Sequence, residues 1–152
     1  MRSETAFTAK DPAFAARVRA SFGRQKAMKA IGAKLATVLP GVVEIELPFQ
    51  ESLTQQDGFL HAGIATTAVD TACGYAALSL MPPGSEVLTV EFKASFMAPA
   101  VGDKFVARGE VLRPGKTVTF CSGQMTAVKG KRRKVIAAML ATMIHRNESA
   151  QN

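Results

Sequence analysis

The sequence predicts an α+β domain in which a curved antiparallel sheet wraps around one long central helix, with another helix near the N-terminus. Three observations carry this reading. The stretch from about Ala62 to Leu80 is small, apolar and poor in strand formers, and Met81-Pro82-Pro83-Gly84 stops it. Because it is apolar nearly all round, other structure must cover it. The residues beyond Gly84 read as strands joined by short turns, and one apolar helix ahead of an antiparallel sheet is buried only if the sheet curls round it.

The elements can be placed in order. Asp11-Pro12 pairs a helix cap with a proline at the first helical position. Phe14, Val18 and Phe22 then recur at four-residue spacing, with Arg17, Arg19 and Arg24 elsewhere around the helix. That segment ends by Pro40-Gly41, and Val43-Glu44-Ile45-Glu46-Leu47 alternates as a short strand before Pro48. Gln50 to Gly58 reads as a polar loop leading to the central helix. Four strands come after the helix, over residues 88–96, 104–112, 117–128 and 134–145, with turns at Arg113-Pro114-Gly115-Lys116 and Lys129-Gly130-Lys131-Arg132. No repeat or linker divides the chain, so residues 1–152 form one domain, with flexible ends at 1–10 and 147–152.

Composition narrows the setting. A domain of 152 residues buries roughly 70% of its unfolded surface, and 47% hydrophobic residues are enough to fill that core. The formal charge of +7 favours an anionic partner: nucleic acid, anionic membrane or a phosphorylated small molecule. Cys73 and Cys121 have no metal-ligand or CxxC spacing, which suggests a reduced, intracellular protein. An acid at Glu4 and no early apolar stretch argue against a secretory signal, and the interrupted 64–81 stretch reads as buried helix, not membrane span. A cytoplasmic location is the expectation.

Chemistry-bearing residues gather around the start of the central helix. Its N-terminus, near His61, offers unpaired N–H groups and a partial positive charge, suited to an oxyanion. Asp70 lies within Ala68-Val69-Asp70-Thr71-Ala72, where aspartate is a poor helix former. A base or nucleophile would explain it; a core carboxylate bonded to a neighbour is the alternative.

The run Gln55-Gln56-Asp57-Gly58-Phe59-Leu60-His61-Ala62-Gly63, continuing through Thr66, Thr67 and Val69-Asp70, resembles the active-site signature of the PaaI-type hotdog-fold acyl-CoA thioesterases. Gly32-Ala33-Lys34-Leu35, Phe96-Met97-Ala98-Pro99-Ala100 and Gly115-Lys116-Thr117 extend the likeness to roughly residues 28–144. The resemblance implies a hotdog fold and hydrolysis of an acyl-CoA thioester. It matches Gln55 to the amide that helps hold the carbonyl, His61 to the residue before the helix, and Ala62 to the residue whose backbone N–H polarises the carbonyl. Asp70 matches the catalytic carboxylate, and Thr89 the hydroxyl that orients water. Gly63 would face the substrate, where many members have Gly-Gly in place of Ala62-Gly63. Family members split the site between two subunits, implying a dimer or a dimer of dimers. Basic turn residues Arg113, Lys116, Lys131 and Arg132 are candidates for the coenzyme phosphates. No metal or organic cofactor is implied, coenzyme A being part of the substrate, and His61 and His145 have no ligand partner at i+3 or i+4.

Competing readings are weaker. Dehydratases of this fold carry their acid about a turn and a half beyond the Asp70 position, where this chain has Gly74 and Tyr75. Gly115-Lys116-Thr117 lacks the upstream glycine of a phosphate-binding loop. A non-catalytic acyl-CoA or nucleic-acid binding module would suit the charge. The chain has no aromatic RNA-binding motif or zinc-ligand set, however, and such a role leaves Asp70 unexplained.

Overall fold

The computed structural model describes residues 7–147. Two helices, α1 (Phe14–Arg24) and α2 (Lys26–Ala30), precede strands β1 (Lys34–Leu39) and β2 (Val42–Pro48). A short 3₁₀ turn at Glu51–Leu53 leads to the central helix α3 (Ala62–Leu78). Strands β3 (Ser85–Phe96), β4 (Lys104–Arg113), β5 (Val118–Lys129) and β6 (Arg132–Asn147) complete one six-stranded sheet of order β1-β2-β4-β5-β6-β3. Every neighbouring pair is antiparallel. The sheet wraps α3, as the hotdog arrangement requires.

Two glycines let helix and sheet approach closely. Gly109 on β4 and Gly123 on β5 are paired in register and face α3. A Cβ at Gly109 would strike the backbone of Ala72 and Cys73, and one at Gly123 would come within 2.8 Å of Cys73 Sγ. Alanines Ala65, Ala68, Ala72, Ala76 and Ala77 make the buried helix surface equally thin. Larger side chains, Phe105, Ile45, Leu47, Met125, Ile136 and Met143, fill the remaining core.

The N-terminal region departs from expectation in two ways. Strand β1 lies where the sequence pattern predicts no strand. Leu39 and Val42 pair across the two-residue Pro40-Gly41 loop, with Gly41 at φ +76°, so that dipeptide is a hairpin turn and not merely the end of a segment. This strand is hidden in the sequence because it sits at the sheet edge, is only partly buried, and shifts register between Leu35 and Thr37. The first helix also starts later than Asp11-Pro12 suggests. Asp11 Oδ1 accepts from the Ala13 N–H at 2.8 Å, forming a local turn, and the helix proper begins at Phe14.

Arg17 does not face free solvent. Its guanidinium donates to the carbonyls of Leu78 (3.1 Å), Met81 (2.8 Å) and Pro82 (2.5 Å), and its Nε lies 3.2 Å from Asp11 Oδ2. It thereby satisfies carbonyls at the negative end of α3 and docks α1 there. Of the ends expected to be flexible, residues 1–6 and 148–152 lie outside the described residues. Phe7 packs on the core, and Asn147 ends β6.

Candidate active site

The N-terminus of α3 leaves one N–H exposed and unpaired. His61 is the N-cap, in extended conformation at φ −60°, ψ 134°, and its Nδ1 accepts from Gly63 N–H at 2.8 Å. The Ile64 N–H goes to the His61 carbonyl at 3.0 Å. Among the described residues nothing accepts from Ala62 N–H, which points out of the helix at an exposed position. The expected donor is thus free, whereas Gly63, expected to face the substrate, has its own N–H committed to His61.

Gln55 stands beside this terminus with its side-chain orientation fixed. Its Oε1 accepts from the N–H groups of Asp57 (2.5 Å) and Phe59 (3.2 Å). Its backbone bonds to Phe59 and Gly58 close the same loop. With the oxygen occupied, the NH₂ is the free edge of the amide, with only a 3.4 Å contact to Asp57 Oδ2. A substrate carbonyl could accept from it.

Asp70 lies two turns along α3, half-buried, and its Oδ1 accepts from Thr89 Oγ1 at 2.8 Å. Burial raises its pKa above the ordinary 3.8, and the Thr89 hydrogen bond partly opposes that rise. The structure therefore joins Asp70 and Thr89. It keeps both away from Ala62, because eight residues of helix span about 12 Å. Within one chain, the free N–H and the carboxylate cannot touch the same carbonyl.

The four basic candidates fall into two groups. Lys131 and Arg132 sit on the β5–β6 turn, at the His61 end of α3. Gly130 N–H bonds Asp103 there, and the Ala100 carbonyl accepts from Leu60 N–H. Arg113 and Lys116 flank the β4–β5 turn at the other end, where Lys116 lines a cavity with Ala77, Leu80 and Met81. Cys73 and Cys121 are buried. Burial holds both thiols protonated, pushing Cys121 up to about 12 and Cys73 further, so neither is a ready nucleophile. Sequence reasoning missed Arg17 and the Tyr75 hydroxyl, which is bonded to Ser21 and Gln25 of the α1–α2 segment. Both act through tertiary contacts that no local pattern announces.

A central helix wrapped by a six-stranded antiparallel sheet is the hotdog fold. Likeness to known proteins identifies its family. The sequence profile of the thioesterase superfamily matches residues 57–134, and the chain belongs to that superfamily. A thioesterase family protein from Silicibacter pomeroyi superposes with a TM-score of 0.87 at 48% identity, covering 88% of this chain and 98% of that one. Human acyl-coenzyme A thioesterase 13 is 33% identical over 93 residues, or 60% of this chain; the match spans 66% of the human protein, just under two thirds of its length. The PaaI protein of the Escherichia coli phenylacetic acid degradation operon shares the fold, with a TM-score of 0.79 at 18% identity over 88% of this chain and 94% of its own.

Proposed function

We propose that the protein hydrolyses an acyl-CoA thioester at a site formed by two copies of the chain. The observation that carries this is the unpaired, exposed Ala62 N–H at the start of α3, matched by a half-buried Asp70 about 12 Å further along it. The N–H of one copy, helped by the Gln55 NH₂, holds the thioester carbonyl and stabilises the oxyanion as it forms. Asp70 of the second copy takes a proton from water while the hydroxide adds to the carbonyl carbon. The tetrahedral intermediate then collapses, the C–S bond breaks, and the coenzyme thiolate recovers the proton. Direct attack by Asp70, giving an anhydride that water opens, is the other route. Label found in Asp70 after single-turnover hydrolysis in ¹⁸O-water identifies the anhydride route with water opening the anhydride at the Asp70 carbon.

The sheet supports the pairing of two copies. Strand β3 is an edge, and its face toward α3 leaves Phe92 44% and Phe96 50% exposed. An unpaired edge carrying exposed apolar side chains is a pairing surface. Lys131 and Arg132, near the free N–H, suit the coenzyme phosphates. No metal or organic cofactor takes part in this scheme.

The test is a panel of acyl-CoA thioesters with release of free thiol as the readout, run beside light scattering at micromolar concentration. Thiol release by a dimer or larger assembly is expected. A monomer that still hydrolyses thioesters would overturn the shared site, and an inert assembly would overturn the reaction.

A further inference from the structure

We infer that the β5–β6 hairpin, with the β3–β4 loop beside it, is a docking surface for an anionic lipid membrane. The hairpin presents seven consecutive exposed residues, Lys129 to Val135, and five of them are cations. Residues 97–103 and 129–135 together carry five bases against one acid, Asp103. These two short segments therefore hold more than half of the chain's net charge of +7.

The five cations are not neutralised within the fold. Further along the sheet, Lys104 pairs with Glu46 at 2.9 Å, and Arg108 with Glu44 at 3.0 Å and Glu110 at 3.5 Å. Among the described residues, Lys129, Lys131, Arg132, Arg133 and Lys134 have no acid partner and no side-chain hydrogen bond. Asp103 is turned to the backbone, its carboxylate accepting from Gly130 N–H at 3.1 Å. Like charges held this close repel one another, and an anionic surface relieves that repulsion. Lys131 and Arg132 have a partner in the coenzyme phosphates of the proposed reaction; Lys129, Arg133 and Lys134 do not.

Apolar side chains sit beside the charges. Val135 continues the hairpin, Val101 lies in the β3–β4 loop at 48% exposure, and Phe49 follows β2 at 43%. Backbone bonds gather the segments at one end of the sheet. Asp103 N–H donates to the Val128 carbonyl at 2.8 Å, and Phe49 N–H donates to the Asp103 carbonyl at 3.0 Å. Only β4 separates β2 from β5, and neighbouring strands are about 4.8 Å apart, so the Phe49 backbone lies about 10 Å from the hairpin. None of the three apolar residues lies on β3, the edge at which a second copy pairs in the proposed assembly.

A membrane interface accepts both kinds of side chain. Anionic headgroups attract the cations, and the boundary with the acyl chains takes up valine and phenylalanine. A nucleic acid would engage the cations but offers nothing to Val101 and Val135. The contact is a peripheral one; among the described residues no helix is long and apolar enough to cross a membrane.

The test is co-sedimentation of the full chain with vesicles of phosphatidylcholine, alone or mixed with phosphatidylglycerol. Binding to the mixed vesicles only, weakened by salt, is expected. Each cation near an anionic leaflet strengthens binding about fivefold, so Arg133→Ala combined with Lys134→Ala is expected to weaken it about 25-fold. Phe49→Ser is expected to weaken it about tenfold and Val101→Ser about threefold, both with salt dependence unchanged. All four positions are exposed, and Val101→Ser carries the apolar arm even if Phe49→Ser does not fold. Wild type that stays in solution with both kinds of vesicle overturns the docking surface. Binding that Val101→Ser and Phe49→Ser leave intact, or equal retention on duplex DNA, reduces the hairpin to a general polyanion patch and overturns the membrane as its partner. The readout involves no turnover, so neither result bears on thioester hydrolysis.

Discussion

Thr89, on an edge strand, donates a 2.8 Å hydrogen bond to Asp70, on the central helix, and so fixes the one carboxylate that α3 carries. The two residues are brought together by the antiparallel β3–β6 pairing, which seats Thr89 opposite buried Met143 and turns it toward the helix. A register shift between Thr89 and Glu91 then re-aims the strand just past this contact. The carboxylate is half-desolvated and oriented before any substrate arrives.

Asp70→Asn keeps the shape and can still accept from Thr89, but it cannot take a proton or form an anhydride. Loss of a general base costs about 10²–10⁴ in rate, so kcat is expected to fall by that factor with KM changed far less. Stability should move the other way. The folded pKa of Asp70 lies above 3.8, so its contribution to stability is complete below the unfolded pKa and is lost as pH rises through the folded one. At neutral pH the asparagine variant is expected to melt at or above the wild-type temperature, the gap closing as pH falls toward 3.8. Near-wild-type kcat in a folded variant would remove Asp70 from the mechanism.

Thr89→Val tests the hydrogen bond through the pH profile. The Thr89 hydroxyl lowers the Asp70 pKa, and its loss leaves burial unopposed. In the proposed mechanism the deprotonated carboxylate is the active form, so the acid limb of kcat is expected to move to higher pH. An acid limb that stays in place would mean another group titrates.

The central helix, the four strands after it and the Gln55–Asp70 signature were legible because each is local: an apolar run, an alternation, a cap, an acid among small residues. Gly63 carried the right motif, yet its N–H is consumed by His61, a detail of cap geometry that spacing does not reveal. Strand β1 escaped because an edge strand needs no clean alternation. Arg17 escaped because its partners lie 61 to 65 residues away. The basic residues looked equivalent in sequence, and only the topology assigns Lys131 and Lys116 to opposite ends of α3.

Arg17→Ala should destabilise the fold without altering the site directly. It removes three bonds to carbonyls at the end of α3 and strands Asp11, whose exposure is 6%. Breaking such a partly buried charged network costs about 3 kcal/mol, or roughly 6–12 °C in Tm for a chain of this size. A thermal shift below about 2 °C would show that α1 docks by other means.

Lys131→Ala separates binding from chemistry. An exposed lysine that meets a coenzyme phosphate contributes to ground state and transition state alike, so KM should rise a few-fold while kcat holds. The rise should shrink in high salt, where the charge is screened. A fall in kcat with KM unchanged would contradict phosphate binding.

Ala62→Pro is the most direct test of the oxyanion donor, because it deletes a single N–H from the backbone. Proline is favoured at the first position of a helix, where the N–H has no intrahelical partner. The residue before it must be extended, and His61 already is, at φ −60°, ψ 134°. Among the described residues nothing uses the Ala62 N–H, so the variant is expected to fold with wild-type Tm and to keep the His61–Gly63 cap. Removing one oxyanion donor costs about 10²–10³ in kcat, and that is the loss expected here, with the acid limb set by Asp70 unmoved. Ala62→Ser, which keeps the N–H, should stay close to wild type. If proline and serine behave alike, the carbonyl is held elsewhere, and Gln55 becomes the first donor to remove.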